Sequence, residues 1–183
     1  MTSSPGRYFG GRKAANRQVR SEALRVAVEI GLVSLVSYLA GFHFTALFHG
    51  ASAGIGGLWS AISGIVVLQT TRRATWSSAG LRIVGTAVGT TVSAIYLTVM
   101  PFSAVAMAAC MVATVLVCYG LWIPDHARLA AITVGVIMVT ASLSPMMNPL
   151  LNAALRFSES CIGTAMAVLA VLVRPGPASQ QAS

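Results

Sequence analysis

Acidic residues are nearly absent from this chain. Glu22, Glu29, Asp125 and Glu159 are the only four in 183 positions. Charged residues of both signs make up 9% of the total, where a soluble domain carries about 25%, so there is too little charge to coat a water-soluble globule. The same scarcity leaves little for general acid–base chemistry, and no nucleophile–base pair stands out, so an enzyme is not expected. Three cysteines (Cys110, Cys118, Cys161) are too few for a disulfide scaffold. All three fall inside apolar runs without a C-x-x-C spacing, which reads as small buried hydrophobes rather than metal or redox chemistry. No cofactor is expected.

What is abundant is apolar: 56% hydrophobic residues and a mean hydropathy of +0.78. Crossing about 30 Å of hydrocarbon takes roughly 20 such residues. Six runs approach that length: Leu24 to Gly41 with an extension toward Phe44, Ala53 to Gln69, Ile83 to Met100, Ala104 to Ile123, Leu129 to Leu143, and Leu150 to Val173. The fifth is short and would need local bilayer thinning or cover by neighbours. The second is rich in glycine and serine, a composition that also admits a partly re-entrant segment. None of the seven prolines interrupts a run. They collect at ends and turns, where the missing N–H does no harm. The tight Pro101–Ser103 and Ser144–Pro149 links imply antiparallel helical hairpins. The expected fold is an all-α polytopic membrane protein of six transmembrane helices with no soluble domain. Its expected parts are a basic tail over 1–20, a helical domain over 21–174 and a disordered tail over 175–183. The first run follows a polar segment of more than twenty residues, and the nearest small-x-small site, Ala51-x-Ala53, lies past it. It reads as a retained helix rather than a removable signal.

The net charge of +8 is a topology signal. Eleven of the twelve basic residues lie in the N-terminal segment, the Thr70–Arg82 link, the Pro124–Arg128 link and the C-terminal tail; the alternate links hold none. Positive loops resist translocation, which places both termini in the cytoplasm. No aromatics interleave with a basic groove, so nucleic acid is not an expected partner. His43, His49 and His126 sit in links and are not spaced like a metal site. Trp59, Trp76 and Trp122 read as interfacial or packing aromatics. The Gly54-x-Gly56-Gly57 cluster lacks the Lys-Ser/Thr of a phosphate loop and suits close packing or a bend.

The exceptional cation is Arg156, inside the sixth run. A positive charge near mid-bilayer costs at least about 2.5–3.5 kcal/mol on insertion scales. Glu159, three residues on, can face the same way and partly neutralise it. The pair is either a structural pin between helices or a cation for an anionic substrate, with Glu159 as proton carrier or charge partner. Arg25 and Glu29 repeat the pattern at the start of the first run; a structural pair is the plainer reading, with Glu29 a second candidate carrier. Arg82 opens the third run ahead of Gly85-x-x-x-Gly89, a spacing that lets two helices approach closely in lipid. It either anchors that helix at the inner interface or lines the inner mouth of a pathway. Leu81-Arg82…Gly89-Thr90 is echoed by Leu155-Arg156…Gly163-Thr164 at equal spacing, a weak internal repeat of the kind transporters carry.

The run Leu58-Trp59-Ser60-Ala61-Ile62-Ser63-Gly64-Ile65-Val66-Val67-Leu68-Gln69, followed by Arg82-x-x-Gly85-Thr86-x-x-Gly89, resembles the signature of the fusaric acid resistance (FUSC), or aromatic acid exporter, family. Arg156-x-x-Glu159-x-x-x-Gly163 resembles that family's last-helix motif. The resemblance covers roughly residues 20 to 174. It implies an inner-membrane exporter of small organic anions, especially aromatic carboxylates. The distantly similar plant aluminium-activated malate transporters are dimers with a cationic pathway. By motif position the substrate-binding cations would be Arg82 and Arg156, with Gly85, Gly89 and Gly163 at helix contacts. The implied partners are the organic anion, membrane lipid, a second copy of the chain and a periplasmic adaptor. Many family members carry a soluble cytoplasmic domain or two helical halves, whereas this chain ends at Ser183, shortly after its last run. That departure keeps two alternatives beside secondary export: a passive anion channel, and a non-transporting membrane subunit.

Overall fold

The structure, a computed structural model, describes residues 6–174, with side chains from residue 19 onward. It is all-helical: α1 (Gly6–Phe48), α2 (Ala53–Val67), α3 (Arg72–Val99), α4 (Ala104–Gly120), α5 (Ala127–Leu143) and α6 (Pro149–Val173), with 3-10 turns at Gly50–Ser52 and Pro124–His126. Among the described residues there is no strand. Residues up to Leu32 form one unit and those from Val33 onward another. The first is helical from Gly6, so the helix continues through most of the expected 1–20 tail. Its described apolar side chains (Val19, Leu24, Val26, Val28, Ile30, Leu32) are exposed. The expected 175–183 tail lies outside the described residues.

The second unit is turned inside out relative to a soluble protein. Large apolar side chains such as Leu58, Ile95, Val105, Leu116, Ile132 and Leu169 face outward, while Ser37, Thr45, Ser60, Ser63, Thr86, Ser93 and Thr133 are buried. Water would penalise such a surface; lipid does not, and the polar groups inside need partners that only the protein can supply. Five helices are long and apolar enough to cross a membrane, and α4 is a shorter apolar helix. The chain is therefore a polytopic all-α membrane protein.

Local sequence explains where the helices stop. Thr71 Oγ1 accepts from Ala74 N (3.2 Å) to open α3, and Ser103 Oγ from Ala106 N (3.3 Å) to open α4. Asn148 Oδ1 accepts from Leu150 N (2.8 Å) ahead of Pro149, which needs no donor at that position. Three expected boundaries are corrected. The third helix begins at Arg72, not Ile83, because its polar first turns are helical although not apolar. Arg82 is consequently not at its opening but about 15 Å along it. The fourth helix ends at Gly120 rather than Ile123. Trp122 takes a left-handed φ of 61°, and Ile123 N bonds back to Cys118 O at 2.9 Å, closing the helix with a Schellman turn. The fifth helix, expected to be the short one, gains the Pro124–His126 turn and reaches 20 residues. The glycine-rich second segment is one unbroken helix over Ala53–Val67.

Within this unit α3 lies between α5 and α6, with α2 packed on α6 and α4 on α5. Leu97, Cys110, Val134, Ile137 and Met138 form an apolar core where α3, α4 and α5 meet. Gly85 and Gly89 let α3 close on α5. A Cβ at Gly85 would sit 3.0 Å from His126 O, and one at Gly89 would overlap Ala130 O. Val33, Val67, Ala79 and Ala167 make a second apolar cluster from α1, α2, α3 and α6.

Candidate functional site

Three helices turn polar or small faces toward one another. On α6, Asn152, Arg156, Glu159, Ser160, Gly163 and Thr164 are buried. The steps of three and four put them on one side of a helix. On α3 the buried face is Thr75, Ala79, Arg82, Thr86, Gly89 and Ser93, and on α2 it includes Gly56, Trp59, Ser60, Ser63 and Gly64. Glycine sets the spacing between α2 and α6: a Cβ on Gly163 would overlap the Ser60 carbonyl oxygen.

Arg82 is 1% exposed and held without a carboxylate. Its Nε donates to Ser160 Oγ (3.1 Å), its Nη2 to Ser63 Oγ (2.8 Å), and its Cζ lies 4.5 Å from the centre of the Trp59 ring. The hydroxyls are oriented in turn. A serine has one proton to give. That of Ser63 goes to Trp59 O at 2.8 Å, a shorter contact than the 3.3 Å to Ser160 Oγ. Ser160 Oγ also lies 3.1 Å from Thr86 Oγ1. The cation is thus stabilised, without being neutralised, by dipoles and a ring quadrupole.

One turn along α6, Arg156 and Glu159 are both 0% exposed, with Arg156 Nη2 2.9 Å from Glu159 Oε1. Thr45 Oγ1 on α1 donates to the same Oε1 at 2.5 Å. Gly56 leaves room for this meeting, since a Cβ there would overlap Thr45 Oγ1 and come within 2.6 Å of Glu159 Oε1. Ser60 Oγ donates to Glu159 O (2.9 Å) and Trp59 Nε1 to Arg156 O (3.0 Å). Arg156 Nε, Nη1 and Nη2, and Glu159 Oε2, are buried with no hydrogen-bond partner, so Nη2 meets Glu159 Oε1 as an ion pair without hydrogen-bond geometry. Trp59 thereby touches both arginines, the Arg82 guanidinium through its ring face and the Arg156 backbone carbonyl through its indole N–H.

Of the residues singled out from sequence, Arg82, Arg156, Glu159 and Gly163 are brought together. Gly85 and Gly89 sit at the α3–α5 contact. Glu29 falls in the N-terminal unit, half-exposed. Sequence reading missed Thr45, Ser63, Thr86 and Ser160 as members of the site and took Trp59 for interfacial or packing. The available signal was serine or threonine at helical spacing in otherwise apolar runs. Among the described residues, no group of three or more His, Cys, Asp and Glu side chains could hold a metal. Cys110 and Cys118 are buried and Cys161 half-buried, all as free thiols. The arrangement offers two cations in a fully buried interior, one of them with donors to spare.

A family model for fusaric acid resistance protein-like sequences matches residues 30–170. No curated protein and no solved structure matches the chain.

Proposed function

The chain belongs to the fusaric acid resistance protein-like family of membrane transport and resistance proteins, and from that premise we propose that it exports small organic anions, aromatic carboxylates among them, across a bacterial inner membrane. Arg156 is the primary anion site and Arg82 the second cation. The observation that carries this reading is the state of Arg156: fully buried, with Nε and Nη1 lacking any partner. Each unsatisfied buried donor costs about 1–3 kcal/mol. A carboxylate oxygen can accept from either donor, and an anion that takes Nη2 from Glu159 gains a two-point fork, with Nε or with Nη1. Arg82 on the neighbouring helix adds positive potential without drawing the anion into a second ion pair.

Both termini lie in the cytoplasm on this reading, supported by the one-sided distribution of basic residues. A homodimer doubles the cations around one axis and raises the potential an anion meets. Transport through it is secondary. An interior-negative potential already favours outward movement of an anion by about 2.3 kcal/mol per 100 mV.

The test is Arg156→Gln in proteoliposomes of the purified chain, following radiolabelled benzoate. The expected result is loss of protein-dependent flux with normal insertion, and partial retention in Arg156→Lys, which keeps charge but not the fork. Unchanged flux in Arg156→Gln overturns the assignment. No flux from the unaltered chain, with a second protein co-purifying from membranes, favours a subunit role instead.

A further inference from the structure

The Arg156–Glu159 pair is made in a manner that suits exchange. A permanent arginine–carboxylate pin is commonly bidentate, with two parallel N–H···O bonds. Here contact runs through one nitrogen, Nη2, and one oxygen, Oε1. The remaining donors Nε and Nη1 and the remaining acceptor Oε2 are left unpartnered in a fully buried site. Oε1 is shared with a hydroxyl on another helix, Thr45. Arg156 is thus neutralised by a carboxylate that claims only part of it.

We infer that Glu159 is a tethered competitor. Its carboxylate occupies Arg156 when no anion is present, and a transported anion must displace it. This rests on the reading of Arg156 as the anion site and adds its regulation. The groups facing Glu159 settle the sign. Its own helix presents Arg156. α1 presents the uncharged Thr45 hydroxyl, and α2 presents Gly56 and Ser60. The cation contributed by α3 is Arg82, bonded to the adjacent Ser160. The charged groups around it are therefore cations, which hold the carboxylate in place. A proton taken up from water converts it to the neutral acid, frees Arg156 and admits the anion. Acid opens the site.

The experiment compares four full-length proteins in proteoliposomes, with equal pH on both sides, clamped potential, radiolabelled benzoate and subtraction of protein-free leak. For the wild type, flux rises as pH falls. Glu159→Gln, a neutral isostere, is expected to run faster than wild type at about pH 8, on the order of tenfold, and to vary little with pH. Thr45→Val withdraws a hydrogen bond from the competing carboxylate, so its rise begins about one unit higher in pH. Arg156→Gln loses flux at every pH. If Arg156→Gln is dead but Glu159→Gln is no faster than wild type and keeps its pH dependence, the competitor is refuted and the anion site stands. If Arg156→Gln transports normally, the anion site and the competitor fall together. Should Glu159→Gln not insert, Thr45→Val decides alone: a wild-type pH profile there overturns the inference.

Discussion

Trp59 joins the two buried arginines: Arg82 lies over its ring with Cζ 4.5 Å from the centre, and its indole N–H reaches the Arg156 carbonyl at 3.0 Å. One side chain therefore sets the direction of a cation on α3 and braces the backbone of a cation on α6. Replacing it with Phe keeps a ring under Arg82 but leaves the Arg156 carbonyl without its donor. The expected loss is about 1 kcal/mol of stability, visible as a lower melting temperature in detergent, with benzoate flux reduced but present. Replacing it with Ala removes both supports and should abolish flux.

Arg82→Lys is expected to behave as a loss, although the charge is kept. An ammonium cannot reach Ser63 and Ser160 along one planar fork while lying flat on an indole. A destabilisation of about 2 kcal/mol is expected. A melting temperature equal to wild type would show that the hydroxyl cradle is incidental.

Gly163→Ala and Gly54→Ala make a matched pair. The added methyl at Gly163 collides with the Ser60 backbone oxygen, which cannot swing aside, whereas the one at Gly54 meets nothing within 4 Å. The first should cost more than about 2 kcal/mol, through overpacking, and lower the yield of folded protein. The second should stay within about 0.5 kcal/mol of wild type. Thermal melts of the two in one detergent check both.

Trp122 occupies the left-handed position of a helix-ending turn that glycine normally takes, and is 91% exposed. Trp122→Gly and Trp122→Ala both discard the ring, and only the first relieves the backbone. The glycine variant is expected to be the more stable of the two by about 1 kcal/mol.

Orientation is checked by single cysteines in a background carrying Cys110→Ala, Cys118→Ala and Cys161→Ala. Thr70→Cys, in the link before α3, should react with a membrane-impermeant maleimide only after the cells are opened. Met146→Cys, in the link before α6 and 97% exposed, should react in intact cells. The reverse pattern would overturn cytoplasmic termini.

How much of this was legible depended on which quantity the residues report. Apolar runs report what lipid touches, so the six segments were visible and the C-terminal ends of α3 and α5 and both ends of α6 fell within a residue of the runs. They do not report helix that lies outside the apolar stretch. The first turns of α3, with Arg72, Arg73 and Thr75, therefore looked like a link, and Arg82 looked shallower than it is. Nor could Trp122 be recognised as a stop, because a tryptophan at that position gives no glycine signal. At the site, Arg156 and Glu159 declared themselves by cost, being charges in an apolar run. Thr45, Ser63, Thr86 and Ser160 did not, since a hydroxyl is cheap in a membrane helix and can bond its own backbone. Only the meeting of four helices shows which hydroxyls face Arg82 and Glu159.

Arg82 sits on hydroxyls and an indole, so the interior of this helical unit keeps one positive charge that nothing formal cancels. For a cell that lives on ion gradients, that matters as much as what is exported. On the export reading, sodium, potassium and hydronium approaching the same route would meet a fixed like charge in a buried interior that screens it poorly. Opening that route for an acid's conjugate base would then not short-circuit the membrane, and no separate filter would be needed to refuse the commonest ions around it.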